Sequence, residues 1–148
     1  QNNIPKDKRD ELDYYIELLD WDLNTDPLFF EHRFMEPKPV KPLEEMRGQG
    51  YEEYDIVYKS EYFSAKELTI LPGRSVLIKD KGPYGAIVIE GHGTFGKLSI
   101  ESPAMIRFGQ ITQDELFVTD KAAKEGVLIT NTSSTDALVM LKHFGPAA

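Results

Sequence analysis

Cysteine is absent from the sequence, and this absence removes several kinds of chemistry. Disulfides, thiolate nucleophiles and cysteine-based zinc or iron–sulfur sites are excluded, so any metal would need histidine and carboxylate ligands. The three histidines, His32, His92 and His143, are scattered and show no metal-ligand spacing. The histidines by themselves therefore predict no metal site.

Long hydrophobic runs are also missing. The uncharged run at residues 86–89 is far shorter than the ~20 apolar residues that span a bilayer. No basic-then-apolar signal opens the chain. We therefore expect a cytoplasmic protein with no membrane partner.

Basic charge is scarce, particularly at the front of the chain. The net charge is −8, and residues 1–60 hold 15 acidic and 8 basic residues, against 10 and 9 in residues 61–148. Binding to nucleic acid requires a concentrated basic face, and the sequence shows none. We therefore expect no nucleic-acid partner.

The length of 148 residues suits a single hydrophobic core. The chain begins with Gln1 rather than Met, which we interpret as the start of a piece excised from a longer protein. A further domain is then expected on the amino-terminal side of this piece in the full-length protein.

Residues 1–50 are predicted to form a helical arm and a connector. Apolar residues recur at helical spacing over residues 6–20, which predicts one amphipathic helix. A dense apolar cluster at residues 28–35 should dock on another surface. Residues 36–42 carry proline at nearly alternate positions, which predicts an extended connector.

Residues 51–148 are predicted to form a β domain. Short segments rich in β-branched and aromatic residues recur about every ten residues, mostly separated by Gly, Pro, Asn or Asp. This pattern favours an antiparallel sandwich or barrel. The predicted strands are 54–58, 63–71, 75–79, 85–90, 98–100, 105–108, 115–118, 127–130 and 138–141, with a short helical turn at 121–124.

Two segments of this β domain resemble the conserved blocks of the cupin superfamily. The first is Leu-Pro-Gly at 71–73, the Gly-Pro turn at 82–83 and Tyr-Gly-Ala-Ile-Val-Ile-Glu-Gly-His-Gly at 84–93. The second is residues 125–141, which contain the turn Asn-Thr-Ser-Ser-Thr-Asp at 131–136. The resemblance implies a mainly β jelly-roll barrel, the double-stranded β-helix, over about residues 54–144, preceded by the helical arm.

A finer resemblance concerns residues 63–69, 107–110 and 141–146. These segments are similar to the carboxy-terminal part of uncharacterised bacterial cupins that are described as mannose-6-phosphate-isomerase-like. The resemblance implies a sugar-related protein and, since cupins commonly pair, a homodimer.

The residues that hold the divalent metal of cupins do not recur in this sequence. Alignment on Gly91 and Asn131 places Tyr84 where the family has its glutamate and Val127 where it has its last histidine. The other two histidines fall on Ile78 and Asp80, or on Leu77 and Lys79 if the turn is one residue longer, so neither register supplies a histidine. One carboxylate and one phenol are a poor donor set for a transition metal. We therefore expect no cofactor and no metal.

Six residues are candidates for contacting a ligand, each with a structural alternative. Asp80 and Tyr84 would line the barrel mouth, or else Asp80 would cap its turn and Tyr84 would be core. His92 would contact a ligand from a tight turn between strands, or be exposed there. Arg107 would clamp an anion from a strand, or point outward.

The other two candidates are Lys66 and Glu115, and their roles depend on which strand residues face inward. Lys66 and Glu67 are neighbours, so one faces inward, and a buried Lys66 would need Glu115 or Glu90 as partner. Lys142 and His143 likewise cannot both point inward. The sequence does not decide which member of either pair is inside.

Three functions remain open from the sequence. The first is a metal-poor cupin domain that binds a small polar molecule such as a sugar, or that serves assembly. The second is an aldose–ketose isomerase of sugars or sugar phosphates that uses Asp80, His92, Lys66 and Glu115. The third is a pure dimerisation module in which the 28–35 cluster packs on a neighbouring subunit. No motif identifies a catalytic residue, so enzyme activity is undecided.

Overall fold

The computed structural model describes residues 4–105 and 107–146. The chain divides into two compact units, Gln1–Phe34 and Met35–Ala148. Residues 35–50, which the sequence groups with the arm, thus belong to the second unit. In that part of the chain, Lys38–Pro39 pairs with the strand Tyr51–Val57, and Met46 is fully buried in the core.

The first unit contains short helices. A 3₁₀ turn at Lys6–Lys8 is followed by α1 (Leu12–Glu17), α2 (Trp21–Asn24) and α3 (Phe29–Arg33). None of these elements buries a residue. Within the apolar cluster at residues 28–35, the rings of Phe30 and Phe34 stack at 4.8 Å.

The prediction of one helix over residues 6–20 is wrong. Glu11 is extended and interrupts the helix, and Asp20 is extended and accepts a hydrogen bond from the Leu23 amide as the N-cap of α2. Helices this short are marginal without tertiary packing of an apolar face. The spacing of apolar residues was therefore insufficient to sustain a continuous helix.

The second unit is mainly β, as predicted. Its strands are β1 (Lys38–Pro39), β2 (Tyr51–Val57), β3 (Ser64–Ile70), β4 (Ser75–Ile78), β5 (Tyr84–Phe95), β6 (Leu98–Ser102), β7 (Glu115–Val118), β8 (Val127–Asn131) and β9 (Leu138–Phe144). Two helices accompany them, α4 (Leu43–Gln49) and α5 (Asp120–Glu125). All the described strand pairs are antiparallel.

The strands form a curled sheet in the order β1-β2-β3-β9-β5-β8-β4, with β6 and β7 also paired to β5. The long strand β5 joins the two parts, because its first half pairs with β7 and β9 and its second half with β6 and β8. Side chains of alternate residues point inward, as the pleat requires. The inward residues of β3, β5 and β9 make the core, together with Tyr51, Ile78, Ile100, Val118 and Ile129.

The second cupin-like segment forms a turn fastened by a buried asparagine. Asn131 Nδ2 donates to the carbonyl oxygens of Ile70 (3.0 Å) and Asp136 (2.8 Å), and its Oδ1 accepts from the Ser133 amide (2.9 Å). Asn131 thereby ties the end of β8 to β3 and to the chain that enters β9. Its role in this arrangement is structural.

The predicted strand at 105–108 is not formed by its described residues, Met105, Arg107 and Phe108. Gly109 takes a positive φ of 76°, and the Gln110 amide donates to the Arg107 carbonyl oxygen (3.1 Å) to close a turn. A chain that turns back over four residues cannot continue a ladder. Arg107 therefore lies in an exposed loop rather than on a strand.

Candidate functional site

A charged cluster occupies one end of the inner face of the curled sheet. Register places Asp55, Lys66, Lys142 and Ala86 side by side on β2, β3, β9 and β5. The next row along this face holds Glu53, Leu68, Met140 and Val88, all of which are buried, and only Glu53 is charged. The two lysines are thus direct cross-strand neighbours, an arrangement that is destabilising unless negative charge lies between them.

Lys142 is the buried cation of the cluster. Its side chain is 0% exposed, and its Nζ donates to Asp80 Oδ2 at 2.7 Å. The same Nζ forms an ion pair with Glu53 Oε1, without the alignment of a good hydrogen bond. An ammonium this deeply buried is tolerated only when it is paired, and here two carboxylates compensate it.

Asp80 bridges the two lysines. Its Oδ1 accepts a hydrogen bond from Lys66 Nζ at 3.1 Å, while its Oδ2 accepts from Lys142. The backbone amide of Asp80 donates to the Ala123 carbonyl oxygen (3.0 Å), which fixes the residue just after β4. Asp80 therefore does not serve as a turn cap. Its carboxylate instead neutralises the charge of the two lysines on β3 and β9, across the interior from β4.

Lys66 lies at the rim of the cluster, where 26% of its side chain is exposed. Burial by itself lowers the pKa of Lys66, but the negative charges of Glu53, Asp80 and Asp55, with the hydrogen bond to Asp80, outweigh it and raise the pKa. Lys66 is thus held in its charged form at neutral pH. It can donate hydrogen bonds, but it is unsuited to act as a neutral amine nucleophile.

Two aromatic rings complete the cluster. The Phe144 ring centroid lies 5.2 Å from that of Tyr84, 5.3 Å from Lys66 Nζ and 5.7 Å from Lys142 Nζ. Lys142 Nζ is also 5.2 Å from the Tyr84 centroid, within the range of a cation–π contact. The rings therefore surround the two ammonium groups with aromatic surface.

The hydroxyl of Tyr84 is the unsatisfied group of the cluster. Tyr84 is only 2% exposed, and its Oη has no hydrogen-bond partner among the described residues. Burial raises the pKa of Tyr84 above its ordinary range, and the charges of Asp80 and Glu53 add to the effect. The phenol therefore stays protonated and can both donate and accept a hydrogen bond.

Three of the six predicted ligand-contacting residues, Asp80, Tyr84 and Lys66, meet in this cluster. Its other members are Glu53, Asp55, Lys142 and Phe144, and none of them was predicted as a site residue. The expected partner of Lys66 was wrong, because Lys66 pairs with Asp80. Glu115 pairs in register with Ile87 on the outward face, and both are exposed.

The remaining two candidates lie elsewhere. His92 is an exposed residue within β5, in register with Glu101 of β6, and not in a tight turn between strands as expected. Arg107 borders a surface hollow of about 420 Å³, lined also by Glu101, Met105, Gln110, Ile111 and Gln113. The structure therefore does not bring His92 or Arg107 to Lys66.

The glycines on either side of His92 explain why this segment resembles a functional motif. Gly91 has φ +88°, and a Cβ there would collide with the Ala137 carbonyl oxygen. A Cβ at Gly93 would collide with the Thr130 carbonyl oxygen. Both glycines permit close backbone approach where β5 passes from one part of the sheet to the other.

The cluster does not fit the divalent metal that the cupin resemblance implies. Ile78 is buried and Val127 packs against the core, so two of the four aligned positions offer no donor. Both oxygens of Asp80 are already bound by lysines. Among residues 4–105 and 107–146, no three His, Asp or Glu side chains are placed to hold a metal ion.

The chain is similar to solved cupin structures at low sequence identity. It matches an RmlC-like cupin protein from Ralstonia eutropha (7% identity, 75% of this chain and 63% of that one, TM-score 0.49) and a cupin 2 conserved barrel domain protein from Rhodopseudomonas palustris (14%, 76% and 72%, 0.47). A structure of Rhodobacter sphaeroides SigE in complex with the anti-sigma ChrR also matches (15%, 70% and 50%, 0.48). The chain thus spans 50% and 63% of the ChrR-complex and Ralstonia chains.

No protein-family model matches the chain, and no curated protein matches it. The structural likeness concerns the barrel fold alone and identifies no ligand, reaction or partner. The described helices include none that is both long and apolar enough to cross a membrane. The charged cluster is therefore the candidate functional site.

Proposed function

We propose that this chain is a cupin-type domain that binds a small, neutral, hydroxyl-rich molecule such as a sugar at the Lys66 end of the barrel. The observation that carries the proposal is the Tyr84 hydroxyl, which is buried without a protein partner. A buried polar atom left unpaired costs about 1–3 kcal/mol, so its retention calls for a water or ligand partner. Lys66, a partly exposed member of the same cluster, supplies a charged donor.

The charge of the cluster favours a neutral ligand over an anionic one. Lys66 and Lys142 face Glu53, Asp80 and Asp55, so carboxylates outnumber ammonium groups. A phosphate or carboxylate on the ligand would compete with carboxylates that already hold both lysines. A sugar hydroxyl, in contrast, can accept from an ammonium and donate to a carboxylate without adding charge.

The test is a calorimetric titration with a defined panel. D-mannose, D-glucose and D-fructose should bind, and their 6-phosphates should bind more weakly. Lys66→Met should weaken binding about tenfold or more, because a hydrogen bond to a charged group contributes roughly 1.5–3 kcal/mol. Tyr84→Phe should weaken it about two- to tenfold, because a hydrogen bond between neutral groups contributes roughly 0.5–1.5 kcal/mol. Lys124→Met, which removes an exposed lysine from α5, is the matched control and should bind as the unmodified chain does.

Two results would contradict the proposal. One is a panel in which no neutral sugar produces heat of binding. The other is binding that is unchanged in both Lys66→Met and Tyr84→Phe, since the ligand would then lie elsewhere.

Isomerase activity can be followed in the same mixtures by conversion of D-mannose to D-fructose. The structure offers no support for that activity, because His92 and Glu115 lie apart from Lys66.

Assembly as a homodimer is a second candidate function. The observation that favours it is an apolar strip on the outward face of β5 and β7, where Ile87, Ile89 and Phe117 are exposed. Exposed apolar patches of this kind mark interaction surfaces. We propose a second copy of the chain as the occupant.

Light scattering tests this assembly. The unmodified chain should be a dimer at micromolar concentration, and Ile89→Asp should be a monomer. Leu128→Asp changes an exposed leucine on β8 and should leave the dimer intact. A monomeric unmodified chain would exclude this surface as a self-association site.

A further inference from the structure

We infer that the ammonium of Lys142 is a built-in cation, which takes the place between Asp80 and Glu53 that a divalent metal would otherwise fill. This inference is independent of the proposed sugar binding. It explains why a barrel of this type can keep two carboxylates in its interior without a metal to neutralise them.

Lys142 Nζ lies between two carboxylates that come from different parts of the chain. Its Nζ contacts Asp80 Oδ2 and Glu53 Oε1, one carboxylate from the loop after β4 and one from β2. These residues converge from opposite parts of the curled sheet, as the ligands of an internal metal must. The group on which they converge is a lysine delivered by β9.

The three charged side chains are shielded from water. The side chains of Lys142, Asp80 and Glu53 are 0%, 1% and 8% exposed. Bulk water therefore provides little screening for these charges. A divalent ion bound by the same carboxylates would lie beside a fixed positive charge in a poorly solvated interior, where like-charge repulsion is strong. Lys142 thus neutralises the carboxylates and also excludes a metal from them.

Lys66 does not perform the same role. Its one ion pair among the described residues is with Asp80, at 3.1 Å, and its partly exposed side chain can swing toward solvent. Removing Lys66 would free one oxygen of Asp80 while Lys142 stays in place. The two lysines are therefore a matched pair: one excludes a metal and the other does not.

The experiment compares the full chain with Lys142→Met and Lys66→Met in thermal unfolding, with chelator and then with excess Mn²⁺ or Zn²⁺. For the unmodified chain, the unfolding midpoint with chelator should equal the midpoint with excess metal. The same should hold for Lys66→Met. Lys142→Met should show a midpoint that rises with metal concentration, since a ligand that binds only the folded state stabilises it. Adding Asp80→Asn to Lys142→Met should abolish this rise.

Two outcomes with folded protein overturn the inference. It is overturned if the unmodified chain binds a stoichiometric metal that Asp80→Asn removes. It is also overturned if folded Lys142→Met shows no response to metal, because the carboxylates would then be unable to hold a cation in any case. If Lys142→Met fails to fold in chelator, refolding in excess Mn²⁺ supports the inference, and failure in both media overturns it.

Discussion

The inner face of the barrel has an apolar end and a charged end built on the same strands. At the apolar end, Tyr51, Ile70 and Leu138 lie in one register row of β2, β3 and β9, and all three are buried. At the charged end, Asp55, Lys66 and Lys142 form the equivalent row. Both rows lie on the same antiparallel strands, and their side chains make one end apolar and the other charged.

This comparison shows that burial and polarity are separate properties of a position. Lys142 is as buried as Leu138 and Met140 on the same strand. The apolar residues are stabilised by removal of their surface from water, which requires no particular partner. Lys142 depends on two specific carboxylates, so the charged end should be far more sensitive to the loss of a single partner.

The largest effect is expected from Lys142→Met. The substitution keeps most of the side-chain volume but leaves Asp80 and Glu53 buried without their cation. Removing one partner of a buried ion pair costs about 3–5 kcal/mol. Urea unfolding at neutral pH should show a loss of this size. The triple variant that adds Asp80→Asn and Glu53→Gln should recover much of it, and a loss below about 1 kcal/mol in the single variant would contradict the buried pairing.

Met140→Ala probes the apolar end and should cost about 2–4 kcal/mol, because it leaves a cavity in a fully buried layer. Unlike the effect of Lys142→Met, this loss should not be recovered by changing any charged residue. Urea unfolding measures it, and Leu128→Ala on the outward face of β8 is the control, with an expected loss well below that of Met140→Ala. Equal losses at the two sites would refute the assignment of inner and outer faces.

Lys66→Met should cost less, about 1–2 kcal/mol, because Lys66 contributes one charged hydrogen bond from the rim. The matched control is Lys124→Met, which breaks the exposed pair of Lys124 with Asp120 on α5. Such exposed pairs contribute only about 0.3–0.5 kcal/mol. If both substitutions cost the same in urea unfolding, Lys66 would behave as an ordinary surface lysine.

The smallest effect at neutral pH is expected from Tyr84→Phe, which removes the unpaired hydroxyl and should change stability by less than about 1 kcal/mol. In alkali its effect should grow. The pKa values of Tyr84 and Lys66 are raised above their ordinary 10.0 and 10.5, so the folded state holds both protons more tightly than the unfolded chain. This stabilisation is full below the ordinary pKa values and is lost as the pH rises above them.

The free energy of unfolding should therefore fall as the pH rises from roughly 10 to 12, and it should fall less steeply in Tyr84→Phe. Urea midpoints across this range provide the measurement. Tyr62→Phe changes an exposed phenol and should keep the slope of the unmodified chain. A slope unchanged by Tyr84→Phe would show that Tyr84 titrates alike in both states.

Much of the site could have been found from strand alternation. Leu138, Met140 and Lys142 are spaced two apart, so an inward Leu138 places Lys142 inside and His143 outside. The same spacing puts Tyr51, Glu53 and Asp55 on one face of β2. Applied through both strands, this rule would have indicated an inward lysine with an inward glutamate nearby.

The sequence by itself determined most of the strands, although not the one predicted at 105–108, because β-branched and aromatic residues suit a pleated, half-buried surface. It also determined that few of the usual metal ligands remain. Only the tertiary structure decided which charges meet. Asp80 follows β4, at one end of the strand order, yet it reaches β3 and β9 because the sheet curls. Contacts across a curled sheet depend on its twist and closure, which local sequence patterns do not encode.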